Sequence, residues 1–203
     1  MQNLIILLFI VLSGLPCKAQ VTGGFNTDQR TIMPGTSWHW QLTNGLRDDL
    51  DVKVYDIDML LTEKSVIEDL QAKDKIVICY FSAGTAENFR DDYEELSKEI
   101  QGKALGDFPD EFWLDIRAQE TRDYVIKRLN TAQALECDAV EPDNVDSYAN
   151  DSGFELTKED QIDFNKFIAQ EAHTRGLSAG LKNALDIIPD LVNDFDCSRG
   201  RIN

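Results

Sequence analysis

Between residues 52 and 192 the chain alternates between two hydrophobic patterns. Short runs rich in β-branched and aromatic residues are separated by stretches whose apolar positions recur at three and four residues. That alternation predicts strands interleaved with helices. The predicted strands are 52–59, 75–83, 112–118, the run opening the stretch 138–148, and 177–182. The first helix carries Val66, Ile67 and Leu70, with Thr62 as its cap. The second opens at Gly84-Thr85 and carries Phe89, Tyr93, Leu96 and Ile100. A loop with Gly102, Gly106 and Pro109 follows. The third helix is marked by Val125, Leu129 and Ala132. Thr157 and Asp160 form a capping-box-like start to the fourth, which carries Phe164, Phe167, Ile168 and Ala172 and stops at Gly176. A short helical stretch, 185–192, contains Pro189 and leads to Phe195-Asp196. Upstream, Trp38-His39-Trp40-Gln41-Leu42 also reads as a strand. Only about ten residues separate it from the next one, too few for a parallel crossover, so it is expected to be a preface to the repeat. Its tryptophans suit core packing first and sugar stacking second.

Alternating elements of these lengths imply a parallel sheet covered by helices. Read with period two, one parity of the strands is apolar: Tyr55 and Ile57; Val77, Cys79 and Phe81; Phe112, Leu114 and Ile116; Val140; Ala179 and Leu181. The other parity turns polar toward the carboxyl ends: Asp56 and Asp58; Tyr80 and Ser82; Asp115 and Arg117; Glu141 and Asp143; Lys182. Polar groups at successive strand ends on one face describe a barrel mouth. A nucleotide-binding doubly wound sheet would carry a glycine-rich loop after its first strand, where Asp56-Ile57-Asp58-Met59 stands instead. The predicted fold class is α/β, an incomplete TIM (β/α)8-type barrel with about five to six of its eight strands.

The chain has 203 residues and a net charge of −17, from 37 acidic and 20 basic side chains. Such a field disfavours nucleic acid and anionic membranes as partners and favours cationic ones. Residues 4–15 are apolar but too short to span a bilayer. With Ala19 before the cut they read as a signal peptide, 1–19, of a secreted protein. Residues 20–51 then form a lead-in and 52–203 the partial barrel. Cys79, Cys137 and Cys197 remain after cleavage. Their number is odd, their spacings fit no zinc or redox motif, and Cys79 is expected to be a buried free thiol in a strand. His39 and His173 have no ligand cluster near them, so neither a metal nor a cofactor is expected. No Walker motif, EF-hand loop or nucleophile elbow is present.

The chemistry concentrates in 138–148, where Asp138, Glu141, Asp143 and Asp146 sit in or beside a short apolar run. Carboxylates at a buried strand end need partners or a task. Asp143 is the expected catalytic carboxylate. Asp56, Asp58, Tyr80, Ser82, Asp115, Arg117, Glu141, Asn144, Lys182 and Asn183 are the expected substrate-binding residues. Any one pair, such as Asp115 with Arg117, is an ordinary ion pair when taken alone. Carboxylates with an Arg, a Lys, a Tyr and an Asn suit glycoside hydrolysis, which needs two carboxyl groups and donors to sugar hydroxyls.

These residues resemble glycoside hydrolase family 114, the endo-α-1,4-polygalactosaminidases. The resemblance lies in the stretches 38–42, 54–58, 78–85, 112–117, 137–146 and 172–183, in that order. It implies a (β/α)8 barrel acting with retention on α-1,4-linked galactosamine polymers, which are cationic where deacetylated. It places the family's catalytic Asp, at the end of barrel strand four, at Asp143. The family's partner Glu lies at the end of strand six, in a run that Phe195-Asp196 begins here, and Arg201 stands in its place. The resemblance thus predicts a truncated, impaired hydrolase, without strands seven and eight, and the chain is expected to be a monomer. Two alternatives stand beside it: a barrel that binds amino sugars without cutting them, and a hydrolase of another α-galactoside.

Overall fold

The computed structural model describes residues 32–33 and 35–199. The expected signal peptide and Arg201 lie outside them. In chain order the elements are β1 (Trp38–Gln41), β2 (Val54–Asp58), α1 (Lys64–Ala72), β3 (Ile76–Ser82), β4 (Thr85–Glu87), β5 (Gln101–Leu105), β6 (Phe108–Leu114), α2 (Gln119–Ala134), β7 (Ala139–Asp143), α3 (Lys158–Thr174), β8 (Ser178–Lys182), α4 (Ile188–Leu191) and β9 (Cys197–Arg199). Strands β1, β2, β3, β7, β8 and β9 lie side by side in that order, all parallel. This is an incomplete (β/α) barrel. Strands β4, β6 and β5 form a separate antiparallel sheet, inserted between β3 and α2.

The period-two reading explains where the core sits. Tyr55, Ile57, Val77, Cys79, Phe81, Val140, Ala179 and Leu181 are buried in one cluster with Ile67 and Leu70 of α1, Val125 and Leu129 of α2, and Phe164 and Ile168 of α3. Burial of each such side chain is worth about 1.5–3 kcal/mol, so this outer layer dominates the stability. On the opposite face Val54, Ile76, Ile78 and Ala139 form a smaller cluster near the amino ends of their strands. The capping box at Thr157 and Asp160 is present, and Gly176 takes the left-handed conformation after α3.

Several sequence expectations are corrected. Trp38–Gln41 is no preface: it is the first strand of the parallel sheet, with Trp38 opposite Val54. Strand β2 begins at Val54 rather than Val52, and residues 42–53 give the connection the dozen residues that a crossover requires. The expected helix after Gly84 is a strand followed by two single 3-10 turns, at 93–95 and 98–100. Those turns still bury Tyr93, Leu96 and Ile100, which is why the spacing mimicked a helix, while Phe89 is exposed. The expected barrel strand 112–118 is the end of β6, which pairs antiparallel. Finally, α1 has Glu63 at its cap, and the Thr62 hydroxyl donates to the Asp58 carbonyl instead. One strand gained and one lost leave β7 fourth in the sheet.

Cys79 is not a free thiol. It is bonded to Cys137, with Cα atoms 6.1 Å apart across 58 positions of sequence. Cys79 points from β3 into the helical layer, and the turn leaving α2, with Glu136 left-handed at φ 61°, brings Cys137 to it. Cys197 is free. Removing the bond, by reductant or by Cys79→Ala with Cys137→Ala, is expected to lower the unfolding free energy by about 2–5 kcal/mol in denaturant titrations.

The last strand is tied down by a charged contact. His173 Nε2 lies 2.9 Å from Asp196 Oδ2, and the Ala179 amide donates to the same oxygen at 2.8 Å. The hydrogen bond to Asp196 raises the His173 pKa above its ordinary 6.5, against the opposing effect of burial. The contact therefore contributes fully below about pH 6.5 and is lost as pH rises through the raised folded-state value. Melting curves taken from about pH 6 to 8.5 should show the excess stability of wild type over His173→Gln shrinking with pH. A constant difference across that range would contradict this account.

Candidate active site

Two neighbouring strands deliver side chains to Asp143, the last residue of β7. Register sets them there: Tyr80 lies opposite Glu141 and Ser82 opposite Asp143. From β3 the Tyr80 hydroxyl donates to Asp143 Oδ2 at 2.9 Å. From β8 the Lys182 ammonium donates to the same oxygen at 2.7 Å and lies 3.8 Å from Glu141 Oε2. The Asn144 main-chain N–H donates to the other oxygen, Oδ1, at 2.8 Å. Burial first, then the Asp143 charge, hold the Tyr80 hydroxyl well above its ordinary pKa, so it stays a donor. Lys182 also stands over the rings of Tyr80, at 4.7 Å, and Trp40, at 5.4 Å. Trp40 is 45% exposed and forms the outer wall of this corner.

A second layer surrounds Asn144. Its side-chain amide donates to Thr85 Oγ1 at 2.7 Å and to Glu111 Oε1 at 2.8 Å. Ser82 Oγ donates to the same Glu111 oxygen at 2.8 Å, and so does the Thr85 hydroxyl. Burial pushes the Glu111 pKa up, and the Thr85 and Ser82 hydroxyls pull it back. Asn144 is left-handed at φ 59°, a conformation Asn tolerates better than most residues. Ala83 and Gly84 donate their amides to the Asp143 carbonyl at 3.0 and 3.2 Å. Asn183 and Ala184, just beyond Lys182, are left-handed as well. Asn183 lines an open cavity of about 300 Å³ with Asp146, Tyr148, Leu185 and Asp186, where the loops after β7 and β8 meet.

Of the expected site residues, Tyr80, Ser82, Glu141, Asp143, Asn144 and Lys182 come together, and Asn183 lines the adjoining cavity. Asp56 is fully buried on β2, opposite Trp40 and Ile78. Three do not join. Asp58 accepts from Arg90 at 2.6 Å and from the Leu60 amide at 2.9 Å. Burial opposes the Arg90 charge, but Glu87 and Asp58 outweigh it and raise its pKa. Asp115 pairs with Arg117 at 2.8 Å, and Arg117 reaches on to the Glu155 carbonyl. That pair sits beside the start of α2, because the strand expected to carry it into the mouth belongs to the insert. The sequence reading missed Glu111 and Thr85. Their signal was the Gly102, Gly106 and Pro109 punctuation, which marks a hairpin and so an edge that returns to β3. Among the described residues no group of three or more His, Cys, Asp or Glu is arranged to hold a metal ion.

A parallel α/β sheet with carboxylates and donors converging at the carboxyl ends of its strands has the layout of a (β/α)-barrel site. The chain belongs to glycoside hydrolase family GH114, whose model matches residues 23–198. It is similar to Ega3 from Aspergillus fumigatus, solved in complex with galactosamine. The two share 42% identity and superpose with a TM-score of 0.81, covering 87% of this chain and 70% of Ega3. The fold is also that of the glycoside hydrolase domain of PelA from Pseudomonas aeruginosa. There the TM-score is 0.65 at 13% identity, over 80% of this chain and 64% of that one. No curated protein matches the chain by sequence.

Gly84 ties the two layers together. A Cβ there would stand 1.9 Å from the Asn144 carbonyl oxygen, a backbone atom that cannot swing aside. Gly84→Ala is expected to cost about 1–3 kcal/mol of stability. It should also move the Asn144 amide resonance, both read on the purified chain.

Proposed function

We propose that the protein is a secreted glycoside hydrolase that cleaves α-1,4-linked galactosamine polysaccharide, with Asp143 as the nucleophile. The observation that carries this reading is the Asp143 carboxylate. It is held by Tyr80, Lys182 and the Asn144 amide at the end of the fourth parallel strand. Three donors fix the direction of the carboxylate before substrate arrives, as nucleophilic displacement at a sugar carbon requires. The cavity beside Asn183 offers room for a neighbouring sugar. Similarity to Ega3 supports an amino sugar as substrate, and the net charge of −17 supports a cationic polymer. The Cys79–Cys137 bond supports an oxidising, extracellular location. The chain acts as a monomer in this reading.

Reducing ends released from partly deacetylated galactosamine polymer measure the activity. Asp143→Asn is expected to lower the rate by at least about a hundredfold. The apparent KM should rise with ionic strength, because the attraction between charges is screened. Turnover of a neutral α-galactoside with no salt dependence would refute the substrate.

A second reading rests on Arg201, which stands where the resemblance puts the proton-donating Glu. A chain without that acid depends on its leaving group. We therefore infer that it releases a phenolate from an activated aryl α-galactosaminide much faster than it cuts polymer. A non-catalytic amino-sugar-binding barrel would do neither, and its affinity would survive Asp143→Asn.

A further inference from the structure

Glu111 is a half-buried carboxylate that the proposed reaction leaves without a task. It stands on β6, outside the parallel sheet, yet its Oε1 collects donors from β3 (Ser82), from β4 (Thr85) and from the residue after β7 (Asn144). Asn144 is where this layer meets Asp143: its side chain goes to Glu111 and Thr85, and its main-chain N–H goes to Asp143 Oδ1. A left-handed residue persists only when its surroundings over-determine it. Here the surroundings are the two acceptors on the insert and the Gly84 backbone packed against the Asn144 carbonyl.

We propose that Glu111 is a positioning residue for Asp143: by anchoring the Asn144 side chain it sets the direction of the Asn144 amide, and so the rotamer of the Asp143 carboxylate. The inference rests on reading Asp143 as the nucleophile. An oxygen that only accepts does not need a charge. A protonated Glu111, or a glutamine, still offers Oε1 to the same three donors. Burial of Glu111, which raises its pKa, therefore leaves the anchoring intact. A misplacement of the reacting atom by about 1 Å can cost about a hundredfold in rate, which sets the scale of the effect.

The test compares Glu111→Gln, Glu111→Ala and Asn144→Gly in the full chain. Asn144→Gly removes the side chain while permitting the positive φ. Hydrolysis is followed on partly deacetylated galactosamine polymer, and the Asn144 amide by NMR on labelled protein. Glu111→Gln should keep kcat within about threefold and leave the Asn144 amide in place. Glu111→Ala and Asn144→Gly should each lower kcat by about tenfold to a hundredfold with KM nearly unchanged, and Glu111→Ala should shift the amide. Wild-type kcat in Asn144→Gly, or in a folded Glu111→Ala, overturns the proposal. So does a glutamine variant as impaired as the alanine one, since charge rather than anchoring would then matter. If wild type cuts no polymer, the proposed function fails. The Asn144 amide still decides this inference, and an unmoved resonance in Glu111→Ala overturns it. Should Glu111→Ala not fold, Asn144→Gly and Glu111→Gln together decide the proposal by the same criteria.

Discussion

A carboxylate at the end of a buried strand has to be held by donors, and the arrangement around Asp143 follows from that requirement. In a poorly solvated corner an unpartnered carboxylate costs several kcal/mol, so its oxygens draw in whatever donors the neighbouring strands can extend. Parallel register fixes which ones can reach. Tyr80 and Lys182 lie on the strands flanking β7 and approach the same oxygen from opposite sides. Tyr80, opposite Glu141, is long enough to arrive from lower in the sheet, and Lys182 gains further from the two aromatic rings beside it. The second oxygen accepts from the main-chain N–H of Asn144 in the loop that follows. The site is thus an outcome of strand order, residue length and one left-handed turn.

The outer face of the same strands does different work. Alternation sends Tyr55, Val77, Cys79, Val140 and Leu181 into the helices, where burial supplies most of the folding free energy. The Cys79–Cys137 bond joins this layer to the turn that feeds β7. Chemistry on one parity and cohesion on the other mean that an inward substitution is felt first by the site and an outward one first by stability. Glu141 and Asp56 sit between these regimes. They point to the polar face, yet both are nearly inaccessible.

How much of this could be read from the chain depends on range. The strands at 54–58, 76–82, 139–143 and 178–182 are legible because each is a short run with one wholly apolar parity. The cluster at their carboxyl ends follows from the other parity. What escaped was long-range pairing. Phe112 and Leu114 alternate as well as any barrel strand, and nothing local says that their partners run antiparallel. The same pattern places Asp115 and Arg117 in the mouth, where the insert does not carry them. Tyr93, Leu96 and Ile100 imitate a helix because two separate turns place them at helical spacing. The disulfide was invisible for the same reason, since 58 residues of chain separate its ends. Glu111 lies in a stretch that reads as a polar hairpin, and its partners on β3, on β4 and after β7 are all remote in sequence.

The insert explains why this corner can be ordered although it sits among loops. A βα connection that leaves a barrel strand is ordinarily mobile, because few buried contacts restrain it. Here the connection after β3 folds back as β4, β5 and β6 and is stitched to the connection after β7. Lys103 donates its main-chain N–H to the Ser152 carbonyl, and its ammonium pairs with Asp151. Gly84 and Gly102 are both in backbone contact with that second loop, with no room for a side chain. Two loops that would each be loose become one surface, and Asn144 lies on the seam. Placing the proposed nucleophile beside such a seam lets its orientation be set by contacts from outside the parallel sheet. The strand supplies the position of Asp143, and the insert supplies its direction.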